Sequence, residues 1–177
     1  MKTLEKNEIK VLIDNNQIEQ KIKDIADILN NKFKDEEVYV ICVLKGAVMF
    51  AAELIKNLKM PLKLEFIRLS SYGSGTVSSG KVNAVDISLP DLNNKNVIIV
   101  EDIIDTGHTA KFLYDFIHMN FKVKSYNFVS LLDKKIRREV NINPDLFCFQ
   151  IEDKFVVGYG LDIDGYYRNL DYIGYIE

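Results

Sequence analysis

Val97-Ile98-Ile99-Val100-Glu101-Asp102-Ile103-Ile104-Asp105-Thr106-Gly107-His108-Thr109-Ala110 is the stretch that decides the fold. Four β-branched aliphatic residues in succession leave no polar face, which is the pattern of a strand covered on both sides in a parallel sheet. Two adjacent carboxylates follow, then a third, then a Thr-Gly-His-Thr turn, after which Phe112, Leu113, Phe116 and Ile117 recur with helical spacing. Strand, turn and helix in that order belong to an α/β sheet, where ligands bind at the carboxyl ends of the strands.

The chemistry of the stretch is two-sided. Glu101 and Asp102 repel each other with no Lys or Arg beside them in sequence, so they suit a cation or sugar hydroxyls. The turn has the opposite polarity: Gly107 admits close backbone approach, the amides of residues 106–109 point outward at a helix N-terminus, and Thr106 and Thr109 add hydroxyls. That is a cradle for a monophosphate. It has neither the lysine nor the spacing of a GxxxxGK[ST] loop, which excludes that class of ATPase. Helix capping and turn chemistry explain either half alone. Both halves within ten residues, after a strand apolar on both faces, point to one bound sugar phosphate.

Outward from this motif, Val38-Tyr39-Val40-Ile41-Cys42-Val43-Leu44 is a second run apolar on both faces, broken by Lys45-Gly46 and followed by a helical pattern over residues 47–58. Ile18, Ile22, Ile25, Leu29 and Phe33 form one face of a helix over residues 16–33. Leu64, Phe66 and Leu69 predict a strand. It ends in the small, polar residues 70–80, which suit either a solvated hairpin tip or a flexible lid. Val85, Ile87 and Leu89 alternate as a strand returning from that loop, and residues 128–132 predict a third buried strand. The order predicts an α/β protein with a mainly parallel core sheet flanked by helices, in a single domain over residues 1–177.

With 23 basic against 26 acidic residues and a net charge of −3, bulk electrostatic capture of nucleic acid or an anionic membrane is not expected. The opening MKTLEKNEIK has no apolar core of a secretory signal, and Lys45-Gly46 interrupts the apolar stretch that could suggest a membrane span. Cys42 and Cys148 have no CxxC or histidine partner, which reads as two reduced core thiols and predicts a cytoplasmic protein.

The central stretch resembles the phosphoribosyl-pyrophosphate motif of type I phosphoribosyltransferases, and the chain from about Val38 to Arg168 is similar to the hypoxanthine-guanine branch of that family. The other elements carrying the resemblance are Leu44-Lys45-Gly46, Ser71-Tyr72-Gly73-Ser74-Gly75-Thr76, Leu131-Leu132-Asp133-Lys134, and Asp153-Lys154-Phe155-Val156-Val157-Gly158-Tyr159-Gly160-Leu161-Asp162 with Tyr167-Arg168. The resemblance implies the type I fold with a small hood and a flexible lid loop. It also implies a purine salvage glycosyltransferase that moves ribose 5-phosphate from phosphoribosyl pyrophosphate to hypoxanthine or guanine with Mg²⁺, as a homo-oligomer, dimer or tetramer.

Carried over by residue, it implies that Glu101 and Asp102 hold the ribose hydroxyls directly or through Mg²⁺. Asp105 would be the catalytic acid-base group near purine N7, and Asp105, Thr106, Gly107, His108 and Thr109 would bind the 5′-phosphate, His108 through its backbone. Lys45 and Gly46 would form the pyrophosphate loop, whose peptide is often cis in this family, with Arg168 assisting. Lys134 would donate to the purine 6-oxo group, Phe155 would stack on the base, the Val156 backbone would meet its edge, and Asp162 would complete the base site and meet a second Mg²⁺. Ser71 and Tyr72 would belong to the lid. Taken singly, Lys134 with Lys135, Arg137 and Arg138 also reads as a solvated basic run, Phe155 as core and Asp162 as a turn residue. Arg68 could serve pyrophosphate or an oligomer neighbour. A nucleotide-sensing regulator on the same fold, or a xanthine- or pyrimidine-preferring transferase, are the competing functions.

Overall fold

Strands that are apolar on both faces need cover on both faces, and the computed structural model of the chain, which describes residues 9–71 and 82–176, supplies it. Six strands form one sheet in the order β4 (Val82–Asp86), β3 (Leu62–Ser71), β2 (Val38–Leu44), β5 (Asn96–Ile104), β6 (Ser125–Asp133), β7 (Leu146–Gln150). The five from β3 to β7 run parallel, and β4 is antiparallel to β3 at the edge. Helices α1 (Asn15–Phe33) and α2 (Val48–Asn57) contribute Ile18, Ile22, Leu29, Phe50 and Leu54 to a core with Val40, Ile98 and Val100. On the other face α3 (His108–Asn120) packs Leu113 and Ile117 against Ile41, Val97, Ile99 and Phe128. A second sheet of β1 (Ile9–Ile13), β9 (Ile173–Ile176) and β8 (Phe155–Val157) is antiparallel and forms the small hood.

The expected helices lie within a residue or two of their expected ends, and α1 begins with a capping box between Asp14 and Gln17. Three differences are physical. β5 continues through Glu101 and Asp102 to Ile104, because a backbone ladder with β6 persists after the aliphatic run stops. β4 occupies Val82–Asp86, earlier than the alternation suggested; Ile87 and Leu89 leave the sheet and anchor the chain on the α3-side core, ahead of Pro90, which has no N–H for a ladder. In β3, Phe66 is 48% exposed, whereas Ile67 on the opposite face is buried. Of the expected lid, Ser71 ends β3, while Tyr72 and residues 73–80 lie outside the described residues.

No described helix is long and apolar enough to cross a membrane. Cys42 and Cys148 are both free and buried, as expected. Burial pushes each thiol up to about 12.

Candidate active site

Strand alternation sorts the central motif. Val97 and Ile99 face α3 while Ile98 and Val100 face α1 and α2, so continuation of the pleat sends Glu101 and Asp102 to opposite faces of the sheet. The expected pair is therefore two separate carboxylates at the rim of one cavity of about 220 Å³, bordered also by Asp105, Thr106, Gly107 and Thr109.

Glu101 is buried and its Oε2 has no hydrogen-bond partner. Burial, with the charge of Asp102 adding, holds its carboxyl well above the usual carboxylate range. Asp102 accepts from the Ile103 amide at 2.9 Å and lies against Gly46, where an added Cβ would fall 1.5 Å from Asp102 Oδ2. Only glycine allows the Lys45-Gly46 turn this approach. Asp102 is raised to about 6, chiefly by burial; the Ile103 amide and the Arg168 charge lower it, and Asp162 raises it.

The turn after β5 is built from backbone. Gly107 has φ 89° and precedes α3 with no side-chain cap, so the first amides of the helix remain available to an anion. A Cβ at Gly107 would also come within 2.8 Å of Arg138 Cδ and 2.9 Å of Val140 Cγ2. His108 turns its ring away to Glu139, Nε2 to Oε2 2.8 Å, consistent with a role for its backbone alone. Thr109 opens the first turn of α3, and Thr106 O accepts from the Glu139 amide at 2.9 Å. The segment after β6 thus clamps the turn.

The basic run divides sharply. Lys134 is only 5% exposed, donates to the Lys154 carbonyl at 2.7 Å and lies 3.6 Å from Asp153, so it is no part of a solvated run. Lys135 is exposed. Arg138 is nearly buried: its Nε donates to the Asp105 carbonyl at 3.1 Å, and its guanidinium also reaches the Ile142 and Ile104 carbonyls and pairs with Asp133. Arg137 NH1 lies 3.3 Å from Asp105 Oδ2, while Asp105 Oδ1 is buried without a partner. Sequence reasoning gave Arg137 and Arg138 no site role, and a run of four cations within five residues carries no signal of which ones fold inward.

Lys45 is exposed in a turn preceded by a cis Leu44–Lys45 peptide. Arg68 lies opposite Leu44 in the β2–β3 register, beside that turn. Arg168 donates to the Gly160 carbonyl at 2.6 Å and pairs with Asp162 at 2.6 Å; Asp162 also accepts from the Gly165 amide at 2.7 Å, so it is a turn residue and an ion-pair partner at once. In the hood, Phe155 is 48% exposed, not core, while Val156 is buried next to it.

Donor chemistry here suits Mg²⁺. Asp102 and Asp162 are hard oxygen donors near enough for the charge of one to raise the other, and Glu101 Oε2 is unclaimed. No group of three or more metal-ligating side chains occurs among the described residues; Mg²⁺ in general takes one or two carboxylates and completes its shell with water and substrate phosphates.

Residues 9–164 match the family described as phosphoribosyl transferase domain. The chain is similar to the hypoxanthine-guanine phosphoribosyltransferase of Streptococcus thermophilus (strain CNRZ 1066), 40% identical over 174 residues that cover 98% of this chain and 96% of the other. It is 41% identical to that of Bacillus subtilis (strain 168) over 168 residues, 95% of this chain and 93% of the other. The crystal structure of a hypoxanthine-guanine phosphoribosyltransferase from Bacillus anthracis, with HEPES in its active site, superimposes with a TM-score of 0.89 at 44% identity, covering 96% of this chain and 100% of that one. A hypoxanthine phosphoribosyltransferase from Staphylococcus aureus gives 0.91 at 36% identity, covering 100% and 96%.

Proposed function

The chain belongs to the phosphoribosyl transferase domain family as a hypoxanthine-guanine phosphoribosyltransferase of purine salvage, and we propose how its own residues carry the transfer. Ribose 5-phosphate passes from phosphoribosyl pyrophosphate to N9 of hypoxanthine or guanine, giving IMP or GMP and pyrophosphate. As N9 bonds to C1′, the C1′–oxygen bond breaks, its electron pair leaves with pyrophosphate, and the N7 proton passes to Asp105.

The observation that carries this assignment is the state of Asp105: one oxygen engaged by Arg137, the other buried and unpartnered, at the lip of a phosphate-type turn and linked through Arg137 and Asp153 to the buried Lys134. A buried acceptor without a partner is costly, and an N–H of the base is the donor it awaits. Thr106, Gly107, His108 and Thr109 bind the 5′-phosphate through backbone amides and hydroxyls. Glu101 and Asp102 face the ribose from two sides, where their oxygens accept hydrogen bonds from its hydroxyls. Lys45, Gly46 and Arg168 receive the pyrophosphate.

Lys134 donates to the 6-oxo group. The exposed ring of Phe155 is the stacking surface, with the Val156 backbone and Asp162 completing the base site. Asp102 and Asp162, with Glu101 alongside, would hold Mg²⁺, which when bound would neutralise charge on the diphosphate leaving group. The same reading takes residues 1–177 as one catalytic domain working in the cytoplasm as a homo-oligomer, the compartment supported by two free thiols.

The test is nucleotide formation with Mg²⁺, phosphoribosyl pyrophosphate and each of hypoxanthine, guanine, xanthine, adenine and uracil. Product from hypoxanthine and guanine is expected. Product from uracil alone, or from none of the five, overturns the assignment.

A further inference from the structure

We infer that Arg137 is a positioning residue that couples the proton acceptor at N7 to the group that reads the 6-oxo substituent; this rests on the reading of Asp105 and Lys134 above. Arg137 closes the short 3-10 turn Lys135–Arg137 directly after β6. Its NH1 lies 3.3 Å from Asp105 Oδ2 and its Nε 3.9 Å from Asp153 Oδ1, and that same Asp153 oxygen lies 3.6 Å from Lys134 Nζ. The charges alternate along the wall in the order Asp105, Arg137, Asp153, Lys134. N7 and the 6-oxo oxygen of a 6-oxopurine lie on one edge of the base, so the two ends of this row address neighbouring atoms of one substrate.

The two oxygens of Asp105 are unequal. The Arg137 cation beside Oδ2 restrains rotation of the carboxylate, and Oδ1, buried and unpartnered, is left as the acceptor for the N7 proton. Without Arg137 the carboxylate is free to rotate, and the proton acceptor is no longer fixed within hydrogen-bond reach. The Arg137–Asp105 pair is 38% and 34% exposed, so its contribution to folding is small. Its effect belongs to turnover.

Steady-state kinetics on R137Q, R137K, D105N and R137Q/D105N, with hypoxanthine and phosphoribosyl pyrophosphate varied in turn, test the assignment. R137Q is expected to lower kcat about tenfold, a part of what a general acid-base group supplies, with KM for phosphoribosyl pyrophosphate within about twofold of wild type. R137K should recover most of the loss, because it restores a cation beside Asp105. In the D105N background R137Q should cost nothing more. Wild-type kcat in R137Q while D105N is impaired overturns the role of Arg137 and leaves that of Asp105 standing; so does an equal loss from R137Q in both backgrounds. Wild-type turnover in D105N removes the Asp105 reading itself, and this inference with it.

Discussion

Arg138→Ala is expected to unfold the turn after β5 from behind. The guanidinium is 10% exposed and its partner Asp133 5%, and the same side chain reaches the carbonyls of Ile104, Asp105 and Ile142. Truncation leaves the Asp133 carboxylate buried without its cation and frees the main chain that carries Asp105. Breaking a buried pair from one side costs about 3–5 kcal/mol. At about 2–4 °C per kcal/mol for a chain of this size, the midpoint of thermal unfolding should fall by about 6–20 °C. The control is D133N/R138M, which removes both charges while keeping side-chain length. Because exchanging both members of a buried pair for neutral groups is often near neutral, it should recover most of the loss, less about 1 kcal/mol for the carbonyls left without donors. Thermal and urea denaturation followed by circular dichroism, without ligands, measure the midpoint and the free energy for both variants. R138A within about 1 kcal/mol of wild type, or a double variant as unstable as R138A, refutes the account of Arg138 as the pin of the turn.

Asp105→Asn keeps the shape of the turn but removes the proton acceptor, and kcat should fall about 10²–10⁴-fold with nucleotide binding retained, as measured by turnover and by calorimetric titration with IMP. Lys134→Ala should weaken hypoxanthine use and narrow its preference over adenine, read from relative kcat/KM across the bases; unchanged ratios would return Lys134 to a structural role at the Lys154 carbonyl. Cys42 and Cys148, both raised to about 12, hold about one thiolate in 10⁴ at pH 8. A disulfide thiol reagent should therefore leave the native protein unmodified at pH 8 and titrate both thiols once the chain is denatured, the rate rising with pH; rapid labelling of the native protein would contradict the burial of either.

What sequence reveals here depends on how local the cause is. β2 was legible to the residue because seven apolar residues meet Lys45-Gly46, and α1 because one stripe of isoleucine, leucine and phenylalanine recurs with helical period. β7 was not legible: within Leu146–Gln150 only Cys148 is buried, so an edge strand with a half-wet face shows no alternation. The hood was visible only through the family resemblance, since β1 pairs with β9 from the far end of the chain and a pairing so remote leaves no local pattern. The central motif was legible because its chemistry is local: amides at a helix start, carboxylates at a strand end. Arg137 and Arg138 were not, because the direction a cation takes after β6 is set by a 3-10 turn and by carbonyls more than thirty residues earlier.

The distribution of unmet polar atoms carries the functional argument one step further. Among the described residues, three buried side-chain oxygens lack partners, Glu101 Oε2, Asp105 Oδ1 and Tyr126 OH, and two of these lie in the central motif. Buried polar groups elsewhere in the same region are met: Lys134 by a carbonyl, Arg138 by three carbonyls and a carboxylate, Asp133 by Arg138. The fold thus has the means to satisfy polar groups at depth and leaves these two acceptors open. An unpaired buried acceptor costs about 1–3 kcal/mol, a cost that a donor arriving from outside would remove. A sugar with hydroxyl donors at Glu101 and a base with an N–H at Asp105 would remove both together, so the ligand that completes the hydrogen bonding of the site also carries the two reacting centres into contact.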